Sequence, residues 1–172
     1  MLKPSDPVAL FVEGYVGRPE AKMALGLLRY APNRVVCAVD SGTAGRRFGE
    51  FHPSLPRDCP ILPSVEAAAA AGATVLVLGT APSGGRIPEA DYPHLDRAVA
   101  AGLSLVNGLH DKLAPRYPGL RPGQWVWDVR TEPAGIGVAE GRAAALPNRR
   151  LLMIGTDMAI GKMSAGLEIH RE

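Results

Sequence analysis

The chain has 172 residues, 47% hydrophobic but only 5% aromatic, with 20 Gly, 16 Pro and a formal net charge of +2. That length suits one full domain with part of a second, around a core made mainly of Ala, Val, Leu and Ile. So small a charge excludes an electrostatic case for nucleic acid or an anionic membrane, and Gly and Pro without a short period signal turns, not collagen.

The first residues, Met1 to Asp6, lead into a short apolar run broken at Glu13, which is not the pattern of a signal peptide. Val8 to Val12 reads as a buried strand. Ala21 to Ala31 has helical periodicity, with Met23, Leu25, Leu27 and Leu28 apolar, and Pro32-Asn33 stops it. Arg34 to Val39 is a second buried strand, with Asp40 just beyond. A polar, Gly-rich stretch follows. Ser64 is an N-cap for a helix over Val65 to Ala71, ended by Gly72. Thr74 to Leu78 is a third strand, and Gly79 to Gly85 a loop. Tyr92 to Ala101 is a helix, ended by Gly102, and Leu103 to Val106 a fourth strand. Trp125 to Arg130 alternates less cleanly and suits an edge strand. The longest apolar stretch, Ala67 to Leu78, falls short of the roughly 20 residues of a membrane span.

Strand and helix alternate, which implies βαβ units and a parallel sheet. The strands are continuous apolar runs, as expected when helices cover both faces. The fold class expected is therefore α/β: a Rossmann-like parallel sheet with flanking helices over residues 1–130. Residues 131–149, rich in Gly, Ala and Pro, read as a connector. Residues 150–172 read as the start of a P-loop domain, with a strand at Leu151 to Ile154 and a helix from about Gly161.

The segment between that strand and helix carries the chemistry. Gly155, Thr156, Asp157, Gly161, Lys162, Met163 and Ser164 form a candidate phosphate loop. A loop that enters a helix N-terminus aims backbone N–H groups at an anion. Gly155 and Gly161 permit close approach, and Lys162 can reach phosphate oxygens. Five residues separate the two glycines instead of four. Met163 stands where the usual loop has the magnesium-binding hydroxyl, which comes one place later at Ser164. This longer Gly-Thr-Asp loop resembles the variant loop of dethiobiotin synthetase. Residues 21–27 echo 161–167, so Lys22 opens either a second anion-binding helix or an ordinary amphipathic one.

Four loops, 13–18, 40–47, 79–86 and 107–111, are expected at the carboxyl edge of the sheet, where open α/β sheets bind ligands. Asp40, Arg46, Gly84, Gly85, Arg86 and Asn107 are the candidate substrate contacts there, with Arg46, Arg47 and Arg86 suited to a carboxylate or phosphate. His110 and Asp111 are a candidate general base and orienting carboxylate, although neighbours in sequence often point apart. Asp40 stands where a ribose-binding acid would, but Gly14 to Pro19 is not G-x-G-x-x-G, so NAD is not expected. His52, His94 and His170 lack ligand spacing, and no metal site is expected. Cys37 and Cys59 lack C-x-x-C spacing, which suits a reduced, cytoplasmic protein.

Several motifs occur in order: Ala21 to Tyr30, Val39 to Gly45, Gly79 to Gly85, Val106 to His110, Asp128-Val129-Arg130 and the Gly-Thr-Asp loop. Together they resemble the domain of unknown function 1611 family, over nearly the whole chain. Met163 matches that family. The resemblance implies a Rossmann-like N-terminal domain and a P-loop C-terminal domain. It also implies an activity, since some members are described as D-glutamate N-acetyltransferases and others carry a loose NAD-dependent epimerase label. The expectation is a small-molecule acyltransferase using acetyl-CoA. The alternatives are an ATP-dependent ligase on a carboxylate, with ATP and magnesium, and a non-catalytic nucleotide-binding module. Family members continue through a further P-loop domain, so the 172-residue chain alone is expected to be inactive. The expected partners are a small-molecule substrate and further copies of the chain, with no nucleic acid and no membrane.

Overall fold

The computed structural model describes residues 1–157 and 161–171. They divide into two compact units, Met1–Thr131 and Glu132–Glu172.

The first unit is a six-stranded sheet in which every pairing is parallel. Its strands are β1 (Val8–Phe11), β2 (Val35–Val39), β3 (Ile61–Leu62), β4 (Val75–Leu78), β5 (Ser104–Asn107) and β6 (Val126–Asp128), in the order β3-β2-β1-β4-β5-β6. The central strands β1, β4 and β5 are buried along their whole length. Their unbroken apolar runs follow from cover on both faces. Alternate residues feed two cores. Phe11, Val39, Leu76, Leu78 and Leu105 pack with α2 (Val65–Ala70) and α3 (Tyr92–Ala100). Val8, Leu10, Val12, Val75 and Val77 pack with α1 (Lys22–Tyr30).

Local chemistry sets the helix ends. Ser64 Oγ accepts the Ala67 N–H at 3.2 Å, the expected cap of α2. At the end of α1, Arg57 donates to the carbonyls of Leu27, Leu28 and Asn33 at 2.5, 2.8 and 3.0 Å. The Leu27 carbonyl also accepts the Ala31 N–H at 3.1 Å, and Asn33 lies just past the helix. Cys37 and Cys59 are free and buried, and burial pushes both thiols up to about 12.

Two features depart from the sequence reading. Strand β3 lies inside the stretch read as a polar loop. It is two residues long, follows Pro60, and has no periodicity to detect; only its pairing to Ala38 and Val39 defines it. Conversely, the strand expected at Leu151 to Ile154 does not form, and these residues carry no regular secondary structure. Among the described residues no strand lies beside them to complete a ladder, and an apolar run needs that partner to be a strand. In the second unit the regular elements among the described residues are a 3-10 turn, Arg142–Ala145, and α4, Lys162–Arg171.

A buried carboxylate secures the open edge of the sheet. Asp128, on β6, accepts from Asn107 Nδ2 and Leu113 N at 2.9 Å each and from Ala114 N at 3.0 Å. Asp128→Ala strands these donors. It should lower unfolding stability by about 2–4 kcal/mol, which urea denaturation would show; a loss below about 0.5 kcal/mol would mean the cluster is not structural.

Candidate functional site

The strand order reverses direction between β1 and β4, since the chain runs outward from β1 through β2 to β3 and then returns to β4. At such a switch point the loops at the strand C-termini diverge to opposite faces and leave a crevice. The loops after β1, β2, β4 and β5 all leave by this edge. They are tied together in pairs. Gly14 N donates to Asp40 Oδ1 at 2.6 Å, and Glu13 accepts both the backbone N–H (2.9 Å) and the hydroxyl of Ser41. Ala81 N donates to Glu20 O at 2.7 Å, and His110 N to Gly85 O at 2.8 Å.

Most of the side chains expected to contact substrate are already engaged within the protein. Asp40 is 2% exposed and its second oxygen accepts from Thr43 Oγ1 at 2.5 Å. Arg46 pairs with Glu50 at 2.9 Å and lies 4.2 Å over the Phe51 ring. Arg47 pairs with Asp58, and Arg86 with Asp111 at 2.6 Å. Asn107 is fully buried, its amide donating to Asp111 O (2.5 Å) and Asp128 and accepting from Leu109 N at 2.9 Å. These residues shape the loops that border the crevice.

His110 and Asp111 are not arranged as base and orienting acid. The Asp111 oxygens accept from Arg86 and, at 2.7 Å, from Ile87 N. No hydrogen bond joins the pair, and adjacent residues on an irregular turn diverge as their backbone does. The His110 ring lies instead against Gly85, where a Cβ would come within 2.5 Å of its Cδ2. Gly84 and Gly85 both adopt positive φ, 80° and 65°. Their role is to let this turn form, which any Cβ at position 85 would obstruct.

Two polar groups missed by the sequence reading lie at this edge without hydrogen-bond partners among the described residues. Thr80, just past β4, is 1% exposed and its Oγ1 has no hydrogen-bond partner. Asp91, at the N-terminus of α3, is 7% exposed and makes no hydrogen bond or ion pair with the described residues. Burial, and secondarily the charge of Glu13, raises its carboxyl to about 6. In sequence Asp91 is an ordinary acid in a first helical turn; burial is the property that sets it apart, and no local pattern encodes it.

In the second unit, α4 starts at Lys162, directly after Gly161 at φ 90°. The Lys162 ammonium donates to the carbonyl of Asp157, so it lies across the loop. Gly155, Thr156 and Asp157 precede it in coil; Met158, Ala159 and Ile160 lie outside the described residues. Leu152, Met153, Ile154, Gly161, Lys162 and Ala165 line an open hollow of about 470 Å³. Met163 and Ser164 are exposed on the first turn of the helix. Lys162 and the free N–H groups of that turn are the donors an anion needs. Among the described residues no group of three or more His, Cys, Asp or Glu could hold a metal ion, and no helix is long and apolar enough to cross a membrane.

The fold and the loop define a two-domain α/β protein, Rossmann-like first and P-loop second. Residues 41–132 match the domain of unknown function model DUF1611_N, a Rossmann-like domain, and residues 137–172 match DUF1611_C, a P-loop domain. The chain belongs to the domain of unknown function 1611 family. It is 30% identical over 171 residues to a D-glutamate N-acetyltransferase of Tritonibacter scottomollicae, covering 96% of this chain and 47% of that protein. It is 33% identical over 112 residues to a protein of the same name from a Pseudoalteromonas species, covering 63% of this chain and 33% of the relative. A crystal structure of a family protein from Anabaena variabilis superposes with a TM-score of 0.86 at 46% identity, over 97% of this chain and 49% of the other. The chain thus spans about half, or less, of the length of these relatives.

Asp91 carries a testable signature of an unpaired buried acid. Its folded-state value lies above the ordinary carboxylate value of 3.8. Folding therefore favours the protonated form, and that contribution is full below about pH 4 and lost as pH rises through about 6. Asp91→Asn should stabilise the protein at pH 8 by on the order of 1–2 kcal/mol and leave it nearly unchanged at pH 4. Thermal melts at the two pH values check this; an equal shift at both would show that charge is not the cause.

Proposed function

We propose that this chain is the substrate-side domain and first phosphate-binding element of a small-molecule N-acetyltransferase that transfers acetyl from acetyl-CoA to D-glutamate. The supporting observation is the arrangement at Lys162: an ammonium folded over the loop onto the Asp157 carbonyl at the start of a helix, where first-turn N–H groups suit an anion. Coenzyme A presents a diphosphate, which such a loop can grip. The names of the relatives supply the acceptor. The crevice between β1 and β4, at the carboxyl edge of the Rossmann-like unit, is the place this reading assigns to the amino acid.

A second reading is an ATP-dependent ligase acting on a carboxylate, and the spacing of the Gly-Thr-Asp loop is what favours it. ATP offers the same polyphosphate to Lys162, and Ser164 would supply the hydroxyl for magnesium. The residues fit that ion only in part, because Met163 occupies the usual hydroxyl position. Nicotinamide binding is not part of either reading, since both oxygens of Asp40, the candidate ribose ligand, accept hydrogen bonds from Gly14 and Thr43. A small-molecule substrate, self-association and a cytoplasmic location, where the free thiols of Cys37 and Cys59 stay reduced, complete the proposal.

Product analysis of the complete protein separates the two readings: release of free CoA with N-acetyl-D-glutamate, or release of ADP. Lys162→Ala should reduce polyphosphate affinity at least tenfold, the loss of a charge-assisted bond of roughly 1.5–3 kcal/mol. Circular dichroism should show an unchanged fold. Unaltered acetyl-CoA and ATP affinity in the folded variant would reject the phosphate-loop assignment.

A further inference from the structure

The crevice between β1 and β4 has an unbalanced chemistry. Alternation along the strands assigns its side chains to faces. Leu76 and Leu78 of β4 enter the core shared with α3, while Val77 enters the opposite one. Gly79 continues the alternation, its α-carbon set against Ala24 of α1 and Val12. Thr80 therefore returns to the α3 face. On β1, Phe11 lies on the α3 face and Val12 on the other; Glu13 follows in a turn, bonds to Ser41, and acts on Asp91 through its charge. Helix α3 reaches this place directly, since the His94 ring lies 5.5 Å from the Phe11 ring. Asp91 is one turn before His94, at the end of α3 nearest the crevice.

Three oxygen-bearing side chains are thus assigned to the edge beyond the ends of β1 and β4. Thr80 and Asp91 are both more than nine-tenths buried; the Thr80 hydroxyl is a buried atom without a hydrogen-bond partner, and the Asp91 carboxylate makes no hydrogen bond or ion pair with the described residues. Glu13 accepts from Ser41 and adds a second negative charge close enough to disfavour ionisation of Asp91. Neither acid pairs with a basic side chain, whereas Asp58, Asp96 and Asp111 each do. Buried polar groups are ordinarily satisfied, so the orphaned Thr80 hydroxyl, with the unpaired Asp91 carboxylate at the same edge, marks a place where a ligand supplies a missing bond. What is missing is positive charge with several N–H donors.

We propose that Thr80, Asp91 and Glu13 form the subsite for the primary ammonium group of an amino-acid substrate at the β1/β4 crevice. An ammonium carries three donors on one compact charge. Asp91 and Thr80 accept from it, and Glu13 contributes field and its remaining lone pairs. A divalent cation suits the place less well, because the described residues hold no cluster of three or more His, Cys, Asp or Glu ligands there. The choice of D-glutamate as occupant rests on the acetyltransferase reading above; the recognition of an ammonium does not.

Calorimetric titration of the chain tests this, with D-glutamate, with n-propylammonium as the amine alone, and with glutarate as the dicarboxylate without the amine. Asp91→Asn and Thr80→Val preserve volume and remove an acceptor. Each should weaken D-glutamate and n-propylammonium about tenfold, as the loss of one charge-assisted bond does, with glutarate responding alike in all three proteins. Unchanged D-glutamate affinity in folded variants overturns the subsite. So does a wild-type chain that binds neither amine, or a magnesium response lost in Asp91→Asn without any amine response. The two proposals fail separately. If the complete protein does not acetylate D-glutamate while n-propylammonium binding still depends on Asp91 and Thr80, the acetyltransferase reading falls and the subsite stands. If acetylation proceeds with the KM for D-glutamate unchanged in both variants, the subsite falls and the reading stands.

Discussion

Strand β1 shares its backbone hydrogen bonds with β2 on one edge, with a register shift between Val8 and Ala9, and with β4 on the other, in register from Val8 to Phe11. The rest of the first unit depends on that double pairing. A strand paired on both edges and covered on both faces must be apolar throughout, which dictates the Val-Ala-Leu-Phe run. Because β2 and β4 lie on opposite sides of it, the connections leading to them part at its carboxyl end. The crevice is therefore a consequence of topology, and side chains only decorate it. Asp40 then narrows one side by holding Gly14, while α3 closes over the other through His94 and Phe11.

The long elements were legible because their signals are local. The runs at β1, β2, β4 and β5 announce buried parallel strands, and Ser64 with Gly72 brackets α2. Strand β3 was not legible, since two residues between prolines become a strand only through the neighbour they pair with. Leu151 to Ile154 fails for the same reason in reverse: its composition is that of a strand, but strand formation is a property of two segments. The acyl-acceptor side shows a similar limit. Arg46, Arg86, Asn107 and Asp111 have suitable chemistry and are engaged by partners within the fold, while the His110 ring lies against Gly85. Thr80 and Asp91 look unremarkable in sequence and differ only in lacking partners once folded.

The two units stand in contrast. The first has its apolar residues inside, among them Phe11, Phe48, Leu76 and Leu105. The second leaves Leu151, Leu152, Ile154 and Met163 between 69% and 82% exposed. A helix of ten residues has little stability without a packed face. The chemistry of a phosphate loop is present there in residue type and order, while the packing that fixes such a loop in other folds is not supplied by residues 132–171. On the proposed reading, a polyphosphate that bound only a packed form of this loop would stabilise that form by mass action.

The buried thiols of Cys37 and Cys59 have a use beyond packing. With values near 12 they hold almost no thiolate at neutral pH, and thiolate is the species that alkylating reagents attack. Cys37 lies within β2, and Cys59 precedes β3, at the outer end of the sheet. Cys37 packs in the core with α2 and α3 and Cys59 in the core with α1, so modification waits on opening of the structure around each. The pair is a natural clock for that opening, since labelling kinetics under native conditions report how often it occurs without any engineered probe.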